Sequence, residues 1–183
     1  MSQKFSSLSD QQISFIETQK IYFVGTATAD SRVNISPKGM DSLHVTGKNT
    51  VVWLNVTGSG NETSAHIQVD PRMTIMFTAF EGKPLILRLY GKAKVIHKND
   101  AEWYAYYHLF KPTTGARQIF ELDIDLVQTS CGMSVPLLDY VEDRGLLTKW
   151  AESKDENAIK KYWLENNQTS IDGLDTNIAT KNG

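Results

Sequence analysis

The alternation of apolar and acidic residues within residues 118–129 (QIFELDIDLVQT) constrains the fold of this chain more than any other sequence feature. The apolar residues of its middle part are Phe120, Leu122, Ile124 and Leu126, and the acidic residues between them are Glu121, Asp123 and Asp125. A period of two places the first set on one face of a β-strand and the second set on the other. The sequence therefore predicts a strand with one face turned to a core.

Five other runs rich in β-branched and aromatic residues are separated by short turns, and they comprise residues 21–29, 32–36, 50–56, 73–80 and 85–95. Six strands at this spacing favour a small antiparallel barrel over alternating βαβ units. No Gly-x-Gly-x-x-Gly pattern follows a strand, which argues against a dinucleotide-binding fold. Gly91, inside the fifth run, predicts a bulge or a close approach of two backbones.

Helices are predicted around this barrel. Capping-box patterns begin at Ser9 and at Asn99, and predict helices to about Gln19 and to about Phe110, the second with a broad aromatic face. Residues 63–68 predict a helical turn, and residues 146–150 and 157–164 predict two further helices. We expect a barrel domain over residues 1–135 and a helical C-terminal arm over residues 136–183, with the polar residues 166–183 lying across the surface or fraying.

Composition excludes several function classes. The net charge of −2 and the 22% of charged residues give no basic excess for nucleic acid and no basic amphipathic face for a membrane surface. The single cysteine, Cys131, permits no internal disulfide, and the four histidines lack metal-ligand spacing, so no metal site is expected. The N-terminal residues lack a hydrophobic signal core, and a cytoplasmic protein is the simplest interpretation.

Residues 32–64 hold two strand-like runs that each end in a polar, turn-rich segment. The first is Pro37-Lys38-Gly39, and the second is residues 58–64 (GSGNETS). Backbone N–H groups, hydroxyls and a lysine suit a phosphate ester, so convergence of these tips predicts a phosphate site for a nucleotide-like cofactor. The alternative is a solvated lysine in a turn and a flexible hairpin loop with a helix cap. The carboxylate of Glu62 would repel a phosphate.

Three other residues allow two interpretations each. Arg88 lies within an alternating strand, where an arginine needs a carboxylate partner, a ligand or a route to solvent. His66 is close to the polar loop and could contact a phosphate, although a histidine at the surface or one satisfied within the protein is favoured. Cys131 could be a reactive thiol, but a small buried hydrophobe is favoured.

Several motifs occur together in one order along the chain. They are residues 32–39 (RVNISPKG), 58–63 (GSGNET), 76–82 (MFTAFEG), 88–91 (RLYG), 130–132 (SCG) and 170–174 (SIDGL). As a set they resemble the FMN-binding split-barrel proteins related to pyridoxamine 5′-phosphate oxidase. The resemblance covers nearly the whole chain.

This resemblance implies a mainly β (α+β) protein: a six-stranded antiparallel split β-barrel with peripheral helices, forming a homodimer with FMN at the subunit interface. The cofactor-binding residues that it implies are Asn34, Ser36, Lys38, Trp53, Leu54, Asn55, Asn61, Glu62, Thr63, Ser64 and Arg88. Among them, Lys38 is the cation expected on the phosphate, and Trp53, Leu54 and Asn55 would pass their backbone groups along the flavin ring. Arg88 would come from the strand that closes the pocket.

Two departures from pyridoxamine 5′-phosphate oxidase itself matter. Glu62-Thr63 stands where that enzyme has an Arg-Lys pair, and residues 166–183 lack its basic, Trp-containing final strand. These two departures leave FMN binding as a supported expectation, whereas they weaken the expectation that the protein acts on vitamin B6 compounds. With one cation fewer in the loop, the resemblance places more of the phosphate binding on Lys38, Arg88 and neutral donors.

Two functions from different classes follow. The first is an FMN-dependent oxidoreductase acting on a small organic molecule or a nicotinamide donor, with Tyr90 and Arg88 as the first candidates for substrate contact. The alternative is a non-catalytic flavin carrier, electron shuttle or sensor. A haem-binding split barrel is a weaker third option because no histidine is placed as an obvious axial ligand. No side chain is identified as a catalytic acid or base.

Overall fold

The computed structural model describes residues 2–182 of the chain. Its strands are β1 (Gln3–Phe5), β2 (Tyr22–Thr26), β3 (Asn34–Lys38), β4 (Leu43–Gly47), β5 (Thr50–Val56), β6 (Arg72–Thr78), β7 (Ile86–His97) and β8 (Ala116–Ser130). Its helices are α1 (Asp10–Thr18), α2 (Glu62–Val69), α3 (Trp103–Tyr107), α4 (Leu146–Glu152), α5 (Glu156–Asn166) and α6 (Ile178–Asn182). Met1 and Gly183, at the outer ends of the two predicted domains, lie outside these residues.

The strands form one antiparallel sheet in the order β3-β2-β6-β7-β8-β5-β4, with β1 paired to β8. Strands β2 and β5 are far apart in this order, yet the rings of Tyr22 and Trp53 meet edge to face with centroids 6.5 Å apart. The sheet therefore curls around a core that contains both rings and the buried face of β8. The predicted class, a mainly antiparallel split barrel with peripheral helices, is confirmed.

Eight strands are present among residues 2–182 rather than the six predicted. The three-residue β1 is too short to show a period. Strand β4 is missed although Leu43 and Val45 alternate with polar residues and pack against the core, because the strand has only five residues. It pairs only with β5, with a register shift between Val45 and Gly47. Strand β3 is the other edge of the sheet, which is why Pro37 is tolerated there.

The first predicted capping box is confirmed, and the second is wrong. Ser9 Oγ accepts from Gln12 N–H at 3.3 Å, and Gln12 Oε1 accepts from Ser9 N–H at 2.8 Å. The Asp100 carboxylate instead accepts from His97 N–H and pairs with Lys181. Residues 99–102 consequently form a turn, and α3 is only five residues long.

The aromatic face that follows Asp100 packs into the protein. Trp103 and Phe110 are buried against β5 and β8, in a second apolar cluster with Val52, Ile96 and Ile119. These rings stabilise the outer side of the barrel. They also fix the position of residues 109–113, which line a cavity described below.

The described part of residues 166–183 does lie across the surface, as predicted, with most of its side chains exposed, but buried side chains within it anchor the segment to the barrel. Asn167, Thr176, Ile178 and Asn182 are all at most 2% exposed. Their amides and hydroxyls are hydrogen-bonded within the protein, as buried polar groups must be. A polar sequence thus packs as an integral layer over α2, β7 and β8, because its polarity is satisfied internally.

Two single-residue expectations have opposite outcomes. The prediction for Gly91 is confirmed, since the β7–β8 register shifts between Tyr90 and Gly91, and a Cβ at Gly91 would lie 1.9 Å from the Asp123 carbonyl oxygen. The favoured interpretation of Cys131 is wrong, because this free thiol is exposed just beyond the end of β8. Within residues 2–182, no helix combines the length and hydrophobicity needed to cross a bilayer.

Candidate functional site

A row of polar side chains follows the inner side of β3. Asn34, Ser36 and Lys38 alternate with the exposed Ile35 and Pro37, so all three share the face turned toward the barrel interior. Lys38 pairs in register with the buried Tyr22, which confirms the direction of this face. At about 3.3 Å per residue, the row from Asn34 to Lys38 is about 13 Å long.

Lys38 is the cation at one end of this row. Its ammonium nitrogen lies 5.1 Å from the centroid of the buried Trp53 ring. Desolvation, followed by repulsion from Arg117, lowers the pKa of Lys38 to about 8, while Glu62 acts in the opposite direction. None of the ion pairs formed among residues 2–182 includes Lys38. Its charge is therefore available to an anionic ligand.

The other end of the row meets the N-terminus of α2. Asn34 Nδ2 donates to Thr63 Oγ1 at 3.1 Å and to Thr26 Oγ1 at 3.3 Å, which joins β3 to the helix and to β2. The N-cap residue, Asn61, makes no side-chain hydrogen bond to the helix backbone. The first N–H groups of α2 carry a partial positive charge and can donate to an anion.

Glu62, the first residue of α2, turns its carboxylate back over the preceding loop. A Cβ at Gly60 would lie 2.3 Å from Glu62 Oε2, so a larger residue here would displace the flexible end of this side chain. The negative charge interacts with both Lys38 and Arg117 without a direct ion pair to either within the described chain. Glu62 therefore moderates the positive potential of the cleft.

Other predicted site residues are occupied by internal contacts. Asn55 donates to Gln118 Oε1, and Ser64 Oγ bonds with both Gln118 Nε2 and the Thr176 carbonyl. Asn61 Nδ2 donates to the carbonyl of Asn167 at 3.4 Å. These side chains order the walls of the cleft, and a ligand would have to share or displace their hydrogen bonds.

Trp53 and Leu54, the other two predicted site residues on β5, lie on opposite sides of the strand. The Trp53 ring stacks on Phe120 in the core, with centroids 4.6 Å apart, and its indole N–H has no partner within residues 2–182. Leu54, the next residue, packs on the other side of β5 with the Trp103 cluster and lines the cavity described below. His66 is buried and hydrogen-bonded to Thr26, so it is held within the protein as favoured.

A cavity of about 270 Å³ opens beside Lys38. It lies between the β3–β4 turn, the end of β5, the end of α3 and the start of α4. Apolar walls come from Leu54, Leu109, Phe110 and Leu147, and polar groups come from Lys38, Asp41, His44, Asn55 and Lys111. In the β3–β4 turn, Met40 and Asp41 both have positive φ angles, 63° and 51°, which is a strained conformation for such side chains.

Arg88 does not join this cleft within one subunit. The sheet register aligns Arg88 with Met76, Met76 with Phe23, and Phe23 with Pro37, so Arg88 shares the outer face with Pro37. Lys38, one residue further along β3, faces inward. Arg88 Nη1 donates to Ser130 Oγ at 3.0 Å on that outer face, beside an open groove of about 560 Å³.

The sequence does not predict Arg117 as a site residue. Arg117 lies beneath residues 58–61 and is 2% exposed. Its odd number puts it in phase with Glu121 and Asp123, which face outward along β8. The β5–β8 register, however, pairs Asn55 with Gln118 and Val56 with Ala116, which leaves Arg117 as an extra, bulged residue. A bulge redirects a side chain, and the alternation pattern carries no signal for it.

Within residues 2–182, no cluster of three or more His, Cys, Asp or Glu side chains could hold a metal ion. The groups that the cleft offers to a ligand are an ammonium group, a helix N-terminus, hydroxyls and aromatic rings.

Comparison with known proteins places this architecture in a family. Residues 8–131 match the family described as pyridoxamine 5′-phosphate oxidase. The curated pyridoxamine 5′-phosphate oxidase family protein ustO of Aspergillus flavus is 36% identical over 188 residues, covering 93% of this chain and 76% of the relative.

Solved structures with the same fold are more distant in sequence. HupZ of group A Streptococcus superposes with a TM-score of 0.53 at 18% identity, over 65% of this chain and 92% of HupZ. A Lactobacillus delbrueckii protein described as a candidate pyridoxamine 5′-phosphate oxidase gives 0.53 at 21% identity, over 67% and 94% of the two chains. On the family match and the curated relative, this chain belongs to the pyridoxamine 5′-phosphate oxidase family.

Proposed function

We propose that this protein is a flavoprotein that binds FMN in the cleft between β3 and the N-terminus of α2, and that it is an oxidoreductase. The observation that carries this proposal is the ammonium group of Lys38, which is desolvated, lacks an ion-pair partner within the described chain, and lies close enough to the start of α2 for Glu62 to affect its pKa. A desolvated cation in a cleft that also contains an uncapped helix N-terminus favours a ligand with a phosphate group.

The residues of the cleft fit the rest of FMN. Hydroxyl and amide groups of Ser36, Asn34 and Thr63 follow one another along the cleft, where they could exchange hydrogen bonds with a ribityl chain. The edges of β3 and β5 offer backbone groups on either side, as a flat heterocycle requires. In this proposal, the residues of β3, β5 and α2 that the family resemblance implies as cofactor-binding hold and orient FMN.

When bound, FMN would supply hydride or electron transfer. The protein's own residues would bind the phosphate, exclude water from the ring and hold a second molecule beside it. The cavity next to Lys38 is large enough for a small organic molecule, and its walls combine Phe110 and Leu109 with His44 and Lys111. This lining favours a substrate with an apolar body and a polar or anionic group.

We also propose that the protein is a homodimer with FMN at the subunit interface. The outer face of β2, β3, β6 and β7 exposes Val33 (71%) and Ile35 (68%) next to the groove that contains Arg88. Burial of these apolar side chains by a second copy would be favourable. Arg88 could then approach the cofactor of the partner, which would reconcile its position with a role at the flavin.

The first test is the absorption spectrum of the purified protein after loading with FMN. We expect a flavin spectrum in the wild type, FMN lost on gel filtration from Lys38→Met, and FMN retained by Lys48→Met, a control at an exposed lysine. Removal of a charge-assisted contact should weaken binding by about 1.5–3 kcal/mol, or roughly tenfold to a hundredfold. Equal FMN retention by Lys38→Met and the wild type would contradict the proposed site.

The second test separates the two functions. Reduction of the bound flavin by NADH or NADPH, followed by repeated turnover with an acceptor, would support an oxidoreductase. A tightly bound flavin that no nicotinamide donor reduces would instead support a carrier, electron shuttle or sensor. Haem absorption in the purified protein would contradict both.

A further inference from the structure

Arg117 is placed under the phosphate end of the cleft by a defect in strand pairing. Between Asn55 and Val56 on β5, strand β8 has one extra residue, and that residue is Arg117. The side chain of Arg117 is 2% exposed, and Ile119, in the same phase of β8, is buried as well, so this end of the strand is enclosed on both faces. The pairing defect therefore places an arginine within a buried part of the strand.

Asn167 holds the guanidinium and the loop above it together. Arg117 Nη1 donates to Asn167 Oδ1 at 2.6 Å, and Asn167 Nδ2 donates to the carbonyls of Gly58 at 3.0 Å and Ser59 at 3.4 Å. The backbone carbonyl of Asn167 also accepts from Asn61 Nδ2. One fully buried amide thus links the bulge of β8 to the loop that leads into α2.

The charge of Arg117 is left uncompensated. None of the ion pairs within residues 2–182 includes it, and its Nε–H has no hydrogen-bond partner among them. Desolvation lowers the pKa of Arg117, and the attraction of Glu62 offsets this only in part. A buried charge without a counter-ion is unfavourable, so stability alone does not explain a cation at this position.

The same charge acts on the cleft. After desolvation, repulsion from Arg117 is the next cause of the lowered pKa of Lys38, so the two cations are close enough to share a potential. Glu62 attracts both of them. The charged groups around this point are therefore two cations, one carboxylate and the partial positive charge of the α2 N-terminus, with an excess of positive charge.

We infer that Arg117 is a positioning residue for the anion site: from beneath the loop, held by Asn167, it attracts the phosphate of the ligand to Lys38 and the α2 N-terminus without contacting it. This inference rests on the proposed function and deepens it, because it assigns the site to a phosphate ester rather than to a neutral flavin. The second cation lies on β8, under the loop, and it becomes compensated only when an anion binds.

The test compares ligands that differ by one phosphate. Affinities for FMN and riboflavin are measured for the wild type, Arg117→Met and the control Lys161→Met, which removes an exposed cation paired with Glu165. The preference for FMN should fall about tenfold in Arg117→Met, with riboflavin affinity unchanged, and should be retained in Lys161→Met. Inorganic pyrophosphate serves as a flavin-free probe, and its stabilisation of the wild type against heat should be lost in Arg117→Met.

The possible outcomes distinguish the inference about Arg117 from the proposal that the protein binds FMN. An unchanged FMN preference and an unchanged pyrophosphate effect in Arg117→Met would overturn the inference while leaving a flavoprotein. A pyrophosphate effect that depends on Arg117, in a wild type that binds no flavin, would support the anion site and overturn the FMN function. Absence of both flavin and pyrophosphate binding in the wild type would overturn both.

A second variant covers the case in which Arg117→Met does not fold. Asn167→Asp places a carboxylate against the guanidinium and neutralises it where it stands. The same fall in FMN preference is expected, and a wild-type preference in folded Asn167→Asp protein would overturn the inference.

Discussion

The ammonium group of Lys38 lies over the ring of Trp53, 5.1 Å from its centroid, and no carboxylate among residues 2–182 forms an ion pair with it. A cation–π contact compensates only part of the hydration that a buried ammonium loses. We therefore expect this lysine to destabilise the unliganded fold.

Lys38→Met should consequently raise the melting temperature of the unliganded protein at pH 7, by an amount equivalent to about 1 kcal/mol. The folded pKa of about 8 is below the unfolded value near 10.5, so the wild type takes up a proton on unfolding between these values. Wild-type stability should rise with pH across that window, and the advantage of the variant should shrink. Melting curves from pH 7 to 10.5 check this, and a constant difference would contradict it.

Protonation of Lys38 should also control the ligand. Because the cation is lost as pH rises through about 8, we expect the affinity for FMN to decline above that pH and the affinity for riboflavin to stay level. Fluorescence titrations of both flavins at pH 6.5 and pH 9 measure the difference. A parallel decline of both affinities would point to a change in the fold instead.

Glu62→Gln should increase the affinity for FMN by about threefold to tenfold, because it removes a negative charge from the phosphate end of the cleft. Riboflavin, which lacks the phosphate, is the internal control and should bind as before. Weaker binding of both flavins would indicate that the carboxylate accepts a hydrogen bond from the ribityl chain or the flavin ring.

Gly91→Ala should destabilise the barrel by about 3 kcal/mol or more, since its Cβ would lie 1.9 Å from the Asp123 carbonyl and neither backbone can move without breaking the β7–β8 ladder. Gly58→Ala is the matched control, because no atom lies within 4 Å of the added methyl group. Urea unfolding of the two variants provides the comparison. Equal stabilities would show that the strands separate easily at the bulge.

Ile35→Asp tests the homodimer. The wild type is expected to sediment as a dimer, and a charge at this exposed position of β3 should shift it to a monomer that retains FMN poorly. Val69→Asp changes a similarly exposed residue (62%) on α2, away from the outer face of the sheet, and should leave the dimer intact. A monomeric wild type that binds FMN tightly would contradict the shared site.

The fold was largely predictable because its signals are local. The period of two in β8 as far as Ile124, the capping box at Ser9 and the glycine opposite the β8 bulge each depend on neighbours along the chain. The predicted core position of Leu126 is wrong, because the bulge shifts the phase of β8 so that Val127 joins the core and Leu126 pairs with Tyr90 on the outer face. Predictions failed where a distant residue decided the outcome. The helix predicted from the capping-box pattern at Asn99 begins only at Trp103, because Asp100 bonds to His97 and Lys181 in a turn. The polar segment beginning at Asn167 is anchored to the barrel because the partners of its buried amides come from elsewhere in the chain.

The candidate site was predictable in part for the same reason. Asn34, Ser36 and Lys38 share a face through a simple alternation, and the start of α2 follows a glycine-rich loop. The separation of Arg88 from Lys38 depends on the sheet register, and the inward direction of Arg117 depends on a bulge. Neither the sheet register nor the bulge can be predicted from the neighbouring residues in the sequence.

The hydrogen bonds of Asn167 are made by a residue that comes late in the chain, after all the strands that it helps to join. A chain that has been synthesised through Ser130 contains all eight described strands and all of α2, yet it lacks the amide that joins Arg117 to Gly58 and Ser59. In the proposal made above, the anion site is organised only by the segment that contains Asn167, which follows all eight described strands in the chain. Loss of that segment should thus leave a folded barrel that has lost its preference for phosphate.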